Sequence, residues 1–337
     1  MKNLLSILLA LTVIGFTSCE ENGNGDGNSE NDTLLISMGS GYQNNIYYNL
    51  SSGDSETVIS NNWDIAYFTD IMSSTIVTND GSGVKLYTWP LGDNTAWDQT
   101  ISLDDLNLDN YLYNSDTTWE LGAFERNALG HPDYGWGTYS MSTHNLTGDS
   151  IFIIQLVDES FKKLIIQKKA SADNVYHFKY ADLDGSNEKE VIMDLNNFAN
   201  KNFGYYSLVD GTEVNREPAT SDWDLLFTTY VAEIPSGGGN ITPYIVTGVL
   251  SNTGVSVEEI QGNPANVTLA DTTGFGEAIN IIGHEWKDFN MTTFQYELSP
   301  DVSWFVKAKT GGIYHIQFTD FEGSATGNIK VLIEKVQ

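Results

Sequence analysis

His131, Met141 and His144 fall within fourteen residues, interleaved with Tyr134, Trp136 and Tyr139. Imidazole and thioether groups ligate borderline and soft metals, iron among them. Aromatic rings between them could wall a flat apolar ligand. Strand alternation sets Met141 and His144 on opposite faces, so they converge only where a bulge or turn intervenes. The Leu146-Thr147-Gly148 turn allows that, and exposed loop residues account for the same letters. His177 and His315 each follow a tyrosine and alternate with apolar residues, which places them on the polar faces of strands. Met72 and Met193 sit among apolar residues and read as core. Lys162, Lys163, Lys168, Lys169 and Lys179 crowd into a short stretch of a chain with only 16 basic residues. They read either as a patch for an anionic group or as a solvated strand edge.

Other chemistries leave no trace. There is no Gly-x-Ser-x-Gly elbow, His-Glu-x-x-His pair or phosphate loop, so the expectation is a binder and not an enzyme. Asp182-Leu183-Asp184-Gly185 has the look of a calcium loop. In the EF-hand register, however, its first ligand would be Tyr180 and its last Val191, and it fails. With 45 acidic residues against 16 basic and a net charge of -29, the surface repels nucleic acid and anionic lipid.

The elements that would position these side chains are strands. Ile151–Leu156, Lys163–Gln167 and Tyr244–Leu250 are short and rich in β-branched residues. Turns such as Asn79-Asp80-Gly81 and Thr310-Gly311-Gly312 separate such runs. No long amphipathic helix is evident, only a short one expected around Leu195–Lys201. The class is all-β. The chain also repeats itself. Tyr47-Tyr48-Asn49-Leu50 precedes Trp63-Asp64-Ile65-Ala66-Tyr67, as Tyr205-Tyr206-Ser207-Leu208 precedes Trp223-Asp224-Leu225-Leu226-Phe227. Alternation puts Trp63, Ile65 and Tyr67 on one face as ordinary core, and Trp223, Leu225 and Phe227 likewise. Farther on, two registers compete. One pairs His177 with His315; the other sets Phe152–Ile166 against Phe305–Phe318. Two related antiparallel β units are expected, over 34–198 and 199–337.

The amino terminus carries one charge, Lys2, an apolar run from Leu4 to Phe16, small residues Thr17-Ser18, and then Cys19, the chain's one cysteine. This resembles a bacterial lipoprotein signal over residues 1–18, with Cys19 as the lipid anchor. The stretch 19–33 lacks the apolar residues a core needs and is expected to be an acidic, flexible tether. The Glu20-Glu21 pair resembles an export signal to the outer face of some Gram-negative cells. The expected location is therefore the outer membrane, lipid-anchored and facing outward.

Trp63-Asp64-Ile65-Ala66-Tyr67 followed by Thr78-Asn79-Asp80-Gly81-Ser82-Gly83 resembles the opening signature of the HmuY family. So do Trp136–His144, the strand Ile151–Leu156 with Phe161-Lys162-Lys163, and, in the second half, Trp223–Tyr230 with Phe321-Glu322-Gly323-Ser324. The resemblance covers most of 40–337 in patches. It implies a β-rich surface lipoprotein that captures haem between two axial His or Met side chains and passes it to a TonB-dependent outer-membrane receptor. On that reading haem is the cofactor, Met141, His144 and His131 are its candidate ligands, and Lys162 and Lys163 are candidates for its propionates. A duplicated chain departs from the family's single domain. The competing expectation is a carbohydrate-binding or structural surface lipoprotein, its eight tryptophans supplying stacking faces.

Overall fold

β-Branched and aromatic runs bounded by Gly and Asn turns form 22 strands in the computed structural model, which describes residues 33–337. The leader, Cys19 and nearly all of the expected tether lie outside the described residues; Thr33 already opens the first strand. Helix among the described residues is limited to short 3-10 turns, one of them Leu195–Phe198 where a short helix was expected.

The strands fall into two series of eleven. The first runs β1 (Thr33–Ser37), β2 (Asn44–Tyr48), β3 (Ser55–Ile59), β4 (Ile65–Phe68), β5 (Ile76–Thr78), β6 (Lys85–Asp93), β7 (Gly137–Tyr139), β8 (Leu146–Gly148), β9 (Ser150–Gln155), β10 (Phe161–Ala170) and β11 (Val175–Asp182). The second runs β12 (Lys189–Asp194), β13 (Phe203–Ser207), β14 (Thr212–Val214), β15 (Leu225–Pro235), β16 (Ile241–Ser251), β17 (Ser256–Gln261), β18 (Lys287–Asn290), β19 (Gln295–Leu298), β20 (Val302–Lys307), β21 (Ile313–Phe321) and β22 (Asn328–Lys335). Each strand of the first series has its counterpart eleven strands later.

The two series exchange strands. β1 closes the sheet β22-β21-β20-β17, while β12 occupies the same place beside β11, β10, β9 and β6. The hairpin β2–β3 pairs with β15–β16, and β13–β14 pairs with β4–β5. Registers match across the two: Tyr48 faces Leu225 as Tyr206 faces Ile65. The sheets thus do not divide at 198/199. The second series begins at Lys189, and residues 33–337 lie within one compact unit. Of the two late registers, the Phe152–Ile166 against Phe305–Phe318 pairing is the one the strands follow. β10 is bulged after Ile166 and β21 after Phe318, whereas His177 lies on β11 and His315 on β21.

The Trp-Asp motif fastens this exchange. The Asp64 carboxylate accepts the backbone N–H of Leu208 at 2.6 Å, and Asp224 accepts that of Leu50 at 2.8 Å. Backbone bonds run in parallel, Asp64 N to Tyr206 O at 3.0 Å and Asp224 N to Tyr48 O at 2.8 Å. Asn79 and Asn252 play equal parts, their side-chain amides holding the carbonyls of Trp63 and Trp223. The motif therefore precedes its strand instead of starting it, and alternation breaks there. Ile65 and Tyr67 enter the core between β4–β5 and the sheet of β9–β11, but Trp63 packs on the other side with Ala66, Phe68 and Tyr205. Trp223 likewise leaves Leu225 and Phe227 and sits edge-on to Tyr47, ring centroids 5.0 Å apart, as Trp63 does to Tyr205 at 4.9 Å. The two central sheets thus meet through aromatics contributed reciprocally.

Beside this seam Glu217 is buried and accepts the N–H groups of Asn202 and Phe203 and the Tyr205 hydroxyl. Burial outweighs those bonds and pushes its carboxyl up to about 7 from an ordinary 4.5. The folded state then holds its proton more tightly than the unfolded chain, so this contribution is complete below pH 4.5 and is lost as pH rises to about 7. Glu217→Gln should flatten the fall in unfolding free energy across that window. An unchanged slope would contradict the assignment. Asp64→Ala and Asp224→Ala, each orphaning a buried N–H of the other series, should each cost about 2–3 kcal/mol in urea unfolding. Exposed Asp210→Ala should cost under about 0.5 kcal/mol, and stitches no costlier than that would be idle.

Candidate functional site

The candidate ligands cluster at one end of the first series. Trp136, fully buried, anchors the β7–β8 hairpin and donates its indole N–H to Ser74 O at 3.1 Å. The loop above β7 and β8 closes by His144 N to Ser140 O at 2.8 Å, with His144 in the left-handed region at φ 58°. That turn overrides strand alternation. Tyr139 OH meets His144 Nδ1 at 2.6 Å, and His131 packs against the other side of the site, its ring 5.3 Å from that of Tyr139 and 6.3 Å from that of Tyr134. Both imidazoles are exposed, and Nε2 of His144 has no hydrogen-bond partner among the described residues. A ring held through Nδ1 offers Nε2 as its ligating nitrogen. Met141 stands in the same loop, 72% exposed.

Sequence reasoning misplaced Met72 as well. It is 90% exposed, not core. Its flanks, Asp70, Ser73 and Ser74, have turn composition and were the available signal. The loop is held from beneath. Lys169, itself buried, donates from Nζ to Ile71 O at 2.9 Å and to Ser73 O, and Asp70 accepts the Met72 N–H at 2.8 Å. Burial lowers the Lys169 ammonium to about 8. Met72, His131 and Tyr134 line one groove of about 420 Å³, within the ~300–1,000 Å³ of small-molecule sites. Asp70, Glu120 and Asp133 also line it, and no Lys or Arg does.

The lysines proposed for propionates are elsewhere and occupied. Lys163 is wholly buried and donates to Trp97 O at 2.6 Å and Gln99 O at 3.0 Å, clamping that loop. Lys162 pairs with Asp182 at 3.0 Å. The β7–β8 hairpin meets β10 at Lys168 and Lys169, and six residues of strand separate that point from Lys163, about 20 Å. Of the remaining histidines on strands, His177 is half-buried and His315 stacks on Phe305 at 4.7 Å, its pKa lowered by burial.

The second series repeats the hairpin without the imidazole. β18 and β19 close by Phe294 N to Asn290 O at 2.8 Å, with Phe294 at φ 54° and Met291 74% exposed. Phe294 thus stands where the first series has His144, and Met291 where it has Met141. Ligating nitrogen at this hairpin belongs to the first series alone.

No protein-family model matches the chain, and no curated protein matches it. Among solved structures, a Bacteroides vulgatus ATCC 8482 protein described as a candidate HmuY-like haem-binding protein aligns with 50% of this chain and 89% of its own. The identity is 14% and the TM-score 0.20, a likeness too slight to argue from.

Proposed function

We propose that the protein is an outer-surface lipoprotein that captures haem in the groove beside the β7–β8 hairpin. The observation that carries this is a thioether and an imidazole, Met72 and His131, on the wall of one groove. A methionine so exposed gains nothing from packing, and its loop is nevertheless fixed by a buried lysine. Thioether and imidazole together form a known axial pair for haem iron. His144 and Met141 are the neighbouring candidates, and the rings of Tyr134 and Tyr139 provide apolar wall. With no cation on the groove, propionates would face water. The family resemblance supplies the remainder of the reading: anchorage through Cys19, hand-over to a TonB-dependent receptor, and no catalytic turnover.

Titrating haem into the tether-less protein should produce a sharp Soret band that saturates. Met72→Ala/His131→Ala should weaken binding at least about tenfold, while Met291→Ala in the second hairpin should leave it unchanged. Loss in Met141→Ala/His144→Ala instead would move the ligands onto the hairpin. No spectral change at micromolar haem would end the proposal. Lys169→Met should speed amide exchange across Ile71–Ser73 and weaken haem capture with it; fast exchange with unaltered capture would remove the loop from the site.

A further inference from the structure

The seam between the two central sheets encloses a second cavity, unrelated to the haem groove. The exchange places Trp63 and Trp223 on its walls, each edge-on to a tyrosine of the other series. The connection 94–136, longer than its counterpart 262–286, adds Trp119. Trp119 has its acceptor, Ser251 O at 2.9 Å. The indole N–H groups of Trp63 and Trp223 have none, nor does Nε of Arg216, although all three side chains are more than nine-tenths buried. Arg216 lies over the rings of Trp63 and Tyr205, 5.5 and 5.1 Å from their centroids, with no carboxylate in ion-pair range among the described residues.

We infer that this cavity binds a small neutral polyol of about glycerol size. Three unpartnered buried N–H groups call for acceptor oxygens, since a buried donor left unmet is destabilising. An anion would answer them but meets the carboxyls of Asp80 and Glu217 on the same walls. A hydroxyl serves both, accepting from N–H and donating to carboxyl. The aromatic rings suit the apolar C–H faces of such a molecule. The space open to a water-sized body is about 90 Å³, room for roughly three waters and far short of a porphyrin. The site therefore stands or falls independently of haem capture.

The test uses residues 33–337 with glycerol, 1,2-ethanediol and meso-erythritol as probes. In ¹H–¹⁵N spectra two of the eight indole N–H resonances, those of Trp63 and Trp223, should shift saturably, and Tm should rise with polyol concentration. Trp63→Phe/Trp223→Phe keeps an aromatic ring at each place and deletes both donors; it should weaken binding about tenfold or more. General osmolyte stabilisation raises Tm equally in both proteins. Equal response, or indole resonances that stay still in the unmodified protein, would overturn the proposal and leave the cavity to water.

Discussion

Two buried carboxylates hold this protein's topology. Asp64 and Asp224 each sit next to a core tryptophan in sequence, yet each accepts a backbone N–H from the opposite series, 144 and 174 residues away. A carboxylate taken out of water is costly unless its oxygens are met, and for Asp64 burial does raise the pKa against the bonds it accepts. The N–H donors that meet it exist only when the other series is in place. Local residues thus become long-range contacts, and neither series completes its sheets alone. The edge strand β1 sits against β22, at the other end of the described chain.

Much of this was legible in the residues, and the limits have physical causes. Strand identity followed from β-branched runs, and the paired Tyr-Tyr and Trp-Asp motifs announced duplication. Which strands pair did not follow, because Tyr48 facing Leu225 is as compatible with local pattern as any pairing within one series. Alternation failed at Trp63, where the aspartate after it is recruited by a turn of the other series. It failed again at His144, where a left-handed turn brings the imidazole to Tyr139. The lysine cluster misled because charge was read as exposure. Lys163 and Lys169 are buried, and their ammonium groups hold backbone carbonyls of neighbouring loops. Met72 misled in the opposite sense, since hydrophobic neighbours in sequence outweighed its turn flanks.

Duplication explains where binding chemistry can differ while the frame does not. Met38 and Leu195, at matching places after β1 and β12, are both fully buried, and Trp136 and Trp286 anchor matching hairpins. Above those anchors the two series diverge. One hairpin holds an imidazole against a tyrosine and the other exposes Phe294; one connection is long enough to deliver Trp119 to the central seam and the other is not. Function grafted on loops over a shared scaffold is the general pattern. Here a single chain carries both versions, so its groove and its central cavity are products of asymmetry laid over a near-symmetric frame.

The central claim is reciprocal exchange, and separating the series tests it most directly. Residues 33–186 and 187–337 should each, alone, show no cooperative unfolding transition and no near-ultraviolet circular dichroism. Mixed in equal amounts, they should regain both, along with the protected amides of Leu50 and Leu208. A 33–186 fragment that unfolds cooperatively by itself, with native aromatic dichroism, would contradict the account.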